Sequence, residues 1–80
     1  MLSRVTRVLG KAWFFIVVDP FGPQGDYDSF TPTKVSYDEE RNRWIVECEF
    51  KRRGELVRAR VLISDSGEVL EYEELQRRGA

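Results

Sequence analysis

"RWIVECEFKRRGELVRARVLIS", residues 43–64, decides the fold. Trp44, Val46, Cys48 and Phe50 alternate with Ile45, Glu47 and Glu49. Val57, Ala59, Val61 and Ile63 alternate in the same way with Arg58, Arg60 and Leu62. A period of two marks strands with one buried face and one face toward water. "RRGE" lies between them, and Gly54 supplies the positive φ that a two-residue hairpin loop at Arg53-Gly54 needs. That loop sets a register. Phe50, Cys48, Val46 and Trp44 face Val57, Ala59, Val61 and Ile63, while Glu49 faces Arg58 and Glu47 faces Arg60. A slip by one residue would turn the apolar set out to water, so the register is strongly specified.

Upstream, Val35 and Tyr37 alternate with Lys34 and Ser36, and "DEERNR" reads as a turn. A four-residue loop at Glu39–Asn42 puts Tyr37 opposite Trp44, Val35 opposite Val46 and Lys34 opposite Glu47. A charged row Lys34–Glu47–Arg60 then crosses the outer face, and each opposed pair contributes about 0.2–1 kcal/mol. Downstream, Ser66-Gly67 is a turn. The remainder has two readings. As a strand, it brings Leu70 and Tyr72 to the buried face. As a helix, it makes a stripe of Val69, Tyr72 and Leu75, with Asp65 and Glu68 as a capping box. The expectation is a short fourth strand followed by a frayed or helical end.

At the other end, Leu2, Val5, Leu9, Ala12, Trp13 and Ile16 fall at helical spacing. Ser3 is placed to cap the start, and Asp19-Pro20 stops the segment. Arg4, Arg7 and Lys11 lie on the opposite face. The rival reading is a strand at Trp13–Val18, because "WFFIVV" is rich in β-formers. The expected fold class is α+β, with one N-terminal amphipathic helix packed on a three- to four-stranded antiparallel β-meander. It is a single domain over 1–80: helix 3–18, loop 19–31, then antiparallel sheet and C-terminal tail over 32–75. Trp13 and Ile16 are expected to pack on Trp44, Val46 and Val61.

Residues 33–72 resemble a PepSY-type domain. "RWIVECEF", "LVRARVLI" and "SDSGEVLEY" fill that family's strand, second-hairpin and closing segments, and Asp65-Ser66-Gly67-Glu68-Val69-Leu70 follows its D-x-x-G-E-V-L form with one residue fewer between Asp and Gly. The same stretch is similar to the C-terminal half of gas vesicle protein O, through "WIVECEF" and "GEVLEYEELQRR". The PepSY resemblance implies a non-catalytic module that associates with other proteins, and it carries over no catalytic residue.

Composition narrows the function classes. A chain of 80 residues is one domain with a thin core. Cys48 is the only cysteine, so no intrachain disulfide forms. There is no His, which removes the Ser–His–Asp and Cys–His mechanisms and the usual zinc-ligand sets. The expectation is a protein that is not an enzyme. Net charge is −1, but it is segmented: +3 over residues 1–18, −5 over 19–40, +4 over 41–60 and −3 over 61–80. Charged residues at 34% resemble the balance found in proteins from hot environments. The apolar run Ala12–Val18 is far short of the roughly 20 residues a membrane span needs. No small-residue cleavage site follows it, so a cytoplasmic location is expected.

Three candidate sites remain. The acidic loop offers Asp19, Asp26 and Asp28 as oxygen ligands for a hard cation such as Ca²⁺. It lacks the twelve-residue EF-hand pattern, and the competing reading is a structural corner of solvated turn residues. The basic hairpin offers Lys51, Arg52, Arg53, Arg58 and Arg60 to nucleic-acid phosphates. Glu47 and Glu49 interrupt that face, and the near-zero net charge disfavours a nucleic-acid partner. Excess apolar surface, at Phe14, Phe15, Phe21, Phe30, Ile45 and Leu62, offers a patch for a protein partner, first of all a second copy in a homodimer. The competing reading folds Phe21 and Phe30 back as staples over the core. A membrane surface is disfavoured, because the helix presents only three bases. Cys48 reads as a small core residue. The leading expectation is a small protein-interaction or regulatory module that self-associates.

Overall fold

The computed structural model describes residues 4–79. Helix α1 spans Arg4–Trp13 and runs directly into a π-helical turn, Phe14–Val18. Four strands follow: β1 (Thr31–Asp38), β2 (Arg43–Arg52), β3 (Glu55–Ser64) and β4 (Val69–Arg78). They form one antiparallel sheet in the order β1-β2-β3-β4. The fold is therefore α+β, a helix on a four-stranded meander. The expected cap, Ser3, lies outside the described residues.

Both hairpin registers follow the sequence pattern. Across β2 and β3, Trp44 pairs with Ile63, Val46 with Val61, Cys48 with Ala59 and Phe50 with Val57. Across β1 and β2, Tyr37 pairs with Trp44, Val35 with Val46 and Lys34 with Glu47. Arg53 and Gly54 take φ values of 52° and 80° at the hairpin tip, the double positive φ of a tight, right-twisting hairpin turn. Asn42 closes the other loop in the same left-handed region, with φ at 52°, a conformation its short polar side chain tolerates. Pro32 lies on β1, an edge strand that tolerates its missing N–H, and a bulge follows between Pro32 and Lys34.

The core lies between sheet and helix. Val46, Cys48, Phe50, Val57, Ala59, Val61 and Ile63 are buried beneath Val8, Ala12 and Ile16. Trp44 is half-buried at the margin, its ring edge-on to Tyr37 at 5.0 Å. Trp13 departs from expectation. It sits about 100° round the helix from Ala12, off the core stripe, and meets the loop residue Tyr27 edge-on at 5.4 Å. The end of the helix departs as well, widening so that the Asp19 N–H reaches the Phe14 carbonyl at 2.8 Å. Bulky "FFIVV" includes three consecutive β-branched residues that crowd an ordinary α turn.

The largest departure is β4. It is a full ten-residue strand rather than a short one with a helical end. The Ser64–Glu68 turn closes with the Glu68 N–H on Ser64 Oγ at 3.0 Å, so no Asp65/Glu68 capping box forms. β4 carries two bulges. Leu62 pairs with Glu71 and Ile63 with Val69, leaving Leu70 as the extra residue; Arg58 pairs with Gln76 and Ala59 with Glu74, leaving Leu75 extra. Leu70 is consequently 52% exposed, not buried, and Val69 and Tyr72 take the core-facing positions instead. Bulges at both leucines also twist this edge away from pairing with another chain.

Candidate functional site

The acidic loop is a built corner. The Asp19 carboxylate accepts the Phe21 N–H at 2.9 Å, and the Asp19 carbonyl accepts the Gly22 N–H at 2.9 Å and Gln24 Nε2 at 2.7 Å. The Gly25 N–H donates to the Ile16 carbonyl at 2.8 Å, and the Asp26 N–H to the Lys51 carbonyl at 2.7 Å. Ser29 Oγ then accepts the Lys51 N–H at 2.8 Å while donating to the Asp26 carbonyl at 2.9 Å. All but the Ser29–Asp26 bond tie the loop to the helix end or to β2. Among the described residues, no three His, Cys, Asp or Glu side chains come together as a metal-holding group. Asp19, Asp26 and Asp28 are thus not assembled round one point.

The apolar candidates separate into two groups. Phe30 packs on the core and Phe15 packs there and against Tyr72, ring centres 5.7 Å apart. Leu62 is only 8% exposed, flanked by its cross-strand partners Ile45 and Glu71, so it offers no free surface. Ile45 is half-buried. Phe14 and Phe21 remain outside, 50% and 90% exposed. Phe14 and Val18 share one side of the π-helical turn, four residues apart. The chain then reverses at Asp19–Gly22. A Cβ at Gly22 would collide with the Phe15 carbonyl, so only glycine permits this tight return. Phe21 therefore projects into water rather than folding back as a staple.

The basic hairpin does not present one face. Lys51, Arg58 and Arg60 lie on the outer face, Arg53 at the tip, and Arg52 on the helix side, as the alternation from buried Phe50 requires. Arg60 pairs with Glu73 at 3.5 Å, which extends the Lys34–Glu47–Arg60 row on to β4. Interleaved acids leave a face of mixed sign.

A cleft that sequence reasoning did not assemble opens at the other end of the helix. Its volume is about 490 Å³. Arg4, Arg7 and Lys11 form one wall, and the β3–β4 turn, Ser64 to Gly67, forms the other. Val8, Trp44 and Ile63 make the floor. None of the three cations enters a salt bridge among the described residues. Asp65 is the one acid on the lining, and Tyr37 Oη donates to it at 3.0 Å. That bond, after burial, raises the Tyr37 phenol above its ordinary value. Ser64 Oγ and Ser66 Oγ lie 2.9 Å apart, and Ser64 Oγ also accepts the Glu68 N–H. Two hydroxyl protons and one shared bond leave one O–H able to donate outward. The sequence signal was the basic i, i+3, i+7 spacing on the helix. What it could not show was the Ser64–Gly67 turn rising beside it.

Cys48 is fully buried, its Sγ 3.8 Å from the Ala59 carbonyl. Burial, and then the charge of Glu49, push its thiol up to about 12, so it is no nucleophile in the folded state. Among the described residues no helix is long and apolar enough to cross a membrane. Comparisons with protein-family models, curated proteins and solved structures find no match to this chain.

Proposed function

We propose that this protein is a small non-catalytic interaction module that associates with a second copy of itself through the aromatic end of its helix. The observation that carries this reading is Phe21. Its ring is 90% exposed, yet its backbone is fixed by the Asp19 carboxylate and by the Gly22 approach to Phe15. A pinned, solvated aromatic adds nothing to the stability of the monomer. Together with the exposed Phe14 and Val18 it offers an anchor of the kind that dominates interface energetics. The thin core of an 80-residue chain makes assembly a natural source of further stability. The resemblance of residues 33–72 to PepSY-type domains supports an associating role.

Sedimentation velocity on the wild type and on a Phe14→Ser, Phe21→Ser double variant tests the reading. The wild type is expected to sediment as a dimer and the double variant as a monomer with an unchanged circular-dichroism spectrum. A wild type that stays monomeric to roughly 1 mM, weaker than about −4 kcal/mol of association, would refute self-association.

A further inference from the structure

We propose that the cleft between α1 and the β3–β4 turn binds a small organic diphosphate, with Arg4, Arg7 and Lys11 on the phosphates and Trp44 beneath the organic group. The volume, about 490 Å³, lies within the roughly 300–1,000 Å³ of small-molecule sites. Three cations against Asp65 alone leave the lining net positive. Positions 4, 7 and 11 span about 10 Å of helix at 1.5 Å per residue. A diphosphate, with two charged groups, matches the length of that row better than a single phosphate does. Arginine's planar fork suits phosphate oxygens, and a lysine adds a point charge. The free serine O–H on the facing wall supplies a further donor.

A second observation points the same way. Arg4 and Arg7 occupy the first turn of α1, and no acid accompanies them. The positive end of the helix macrodipole repels cations there, and Asp or Glu would be the stabilising choice. The positive potential that accumulates is relieved by a bound anion. The indole of Trp44, steadied by Tyr37 at 5.0 Å, gives the cleft a flat apolar floor that inorganic anions do not use.

The test is a nuclear magnetic resonance titration of the full chain with inorganic pyrophosphate and, separately, with adenosine diphosphate, at constant ionic strength. Saturable amide shifts are expected at residues 4–11 and 64–67. Arg7→Gln and Lys11→Gln should each weaken binding about tenfold, the scale of a charge-assisted phosphate contact, while Lys34→Gln on the outer face leaves it unchanged. Arg7→Gln relieves the helix dipole, so its melting temperature should hold or rise while affinity falls; a merely structural arginine would do the reverse. In a Trp13→Phe background, quenching of Trp44 by adenosine diphosphate, with tighter binding than pyrophosphate, confirms the organic half of the site. Equal affinities without quenching overturn that half and leave a diphosphate site. Absence of saturation at about 10 mM, about ten-thousandfold above a micromolar site, overturns the proposal. So do identical shifts with sulfate, or a Lys34→Gln loss equal to that of Arg7→Gln.

Discussion

Replacing Gly25 with Ala tests how the long loop is fastened to the core. Gly25 is buried, and a Cβ placed on it would lie 2.7 Å from Phe50 Cδ2 and 3.1 Å from Ile16 Cγ2. Both neighbours are fully buried, so neither side chain can swing into solvent. Forcing one extra carbon into a packed core costs roughly 1–3 kcal/mol. Gly25 lies outside the left-handed region, so alanine adopts its backbone freely and gains about 0.4–1 kcal/mol through a less disordered unfolded chain. The net expectation is a loss of about 1–2 kcal/mol. For a domain of this size that lowers the melting temperature by roughly 5–15 °C. Urea unfolding measures it, with an unchanged slope marking a change in stability alone. The cycle with Phe50→Val isolates the cause. Valine has no δ carbon, so this change removes the atom at 2.7 Å, and the double variant should be more stable than additivity predicts by at least about 0.5 kcal/mol. A Gly25→Ala protein that melts with or above the wild type would refute the reasoning. So would strict additivity with Phe50→Val, which would mean that the loop is not seated on that ring.

Four further outcomes are expected. Cys48, its thiol held near 12 by burial, should resist alkylation at pH 8 in the folded protein and react only as urea unfolds it. Tyr72→Phe should leave stability unchanged or raise it by about 1 kcal/mol, because the Tyr72 hydroxyl is buried and finds no hydrogen-bond partner among the described residues; a clear loss in thermal melting would reveal a partner. Leu70→Lys should shift stability by less than about 0.5 kcal/mol, since the bulge turns that side chain outward, whereas a core strand position would cost several times more. Glu74 accepts two bonds from Arg77, at 2.6 and 3.0 Å, which hold its carboxyl below the ordinary value. A depressed folded value means the pair's contribution is present above the unfolded pKa and fades as pH falls through the folded one, so Arg77→Gln should flatten the acid limb of the stability–pH curve.

The parts of the fold legible in the sequence were those governed by a single local period. Alternation from Trp44 to Phe50 and from Val57 to Ile63, with glycine at the turn, specified both strands, the tip and the register. The same signal failed at β4 because two inserted residues, Leu70 and Leu75, break the period of two. A broken alternation with apolar residues at 69, 72 and 75 imitates a helix stripe, and only pairing with β3 distinguishes the two. The π turn was illegible for a related reason. Ala12 and Ile16 satisfy an α-helix and a slightly wider one equally well, and the difference lies in where the Asp19 N–H bonds. Of the candidate sites, the aromatic excess was legible as composition, but which rings stay outside was not. Phe30 and Phe21 look alike in sequence; the Asp19 turn and the Gly22 contact separate them. The basic row at 4, 7 and 11 was visible without the wall that faces it.

The candidate surfaces share a geometric origin. Strands of ten residues extend about 33 Å, while a helical segment of fifteen, from Arg4 to Val18, extends only about 20 Å. One helix therefore cannot roof the inner face of four strands. It runs from the Trp44 and Ile63 end, where its first turns border the cleft, to the Phe50 end, where Ile16 meets Gly25. Beyond Ile16 the roof is the loop, which is why that loop is hydrogen-bonded at so many points rather than free. Beside it, the end of β4 turns Glu74 and Arg77 inward, and Arg77 also reaches Glu55 at 3.3 Å. Charges that satisfy one another close this edge in place of apolar side chains. At the opposite end Asp38 pairs with Arg41 and Arg43 at 3.7 Å, but these pairs do not involve the helix. The three helix cations stand over Trp44 with no carboxylate paired to them among the described residues. The paired charges beside the loop and the unpaired cations of the helix are why the proposed anion site falls in the cleft and not at the β4 end.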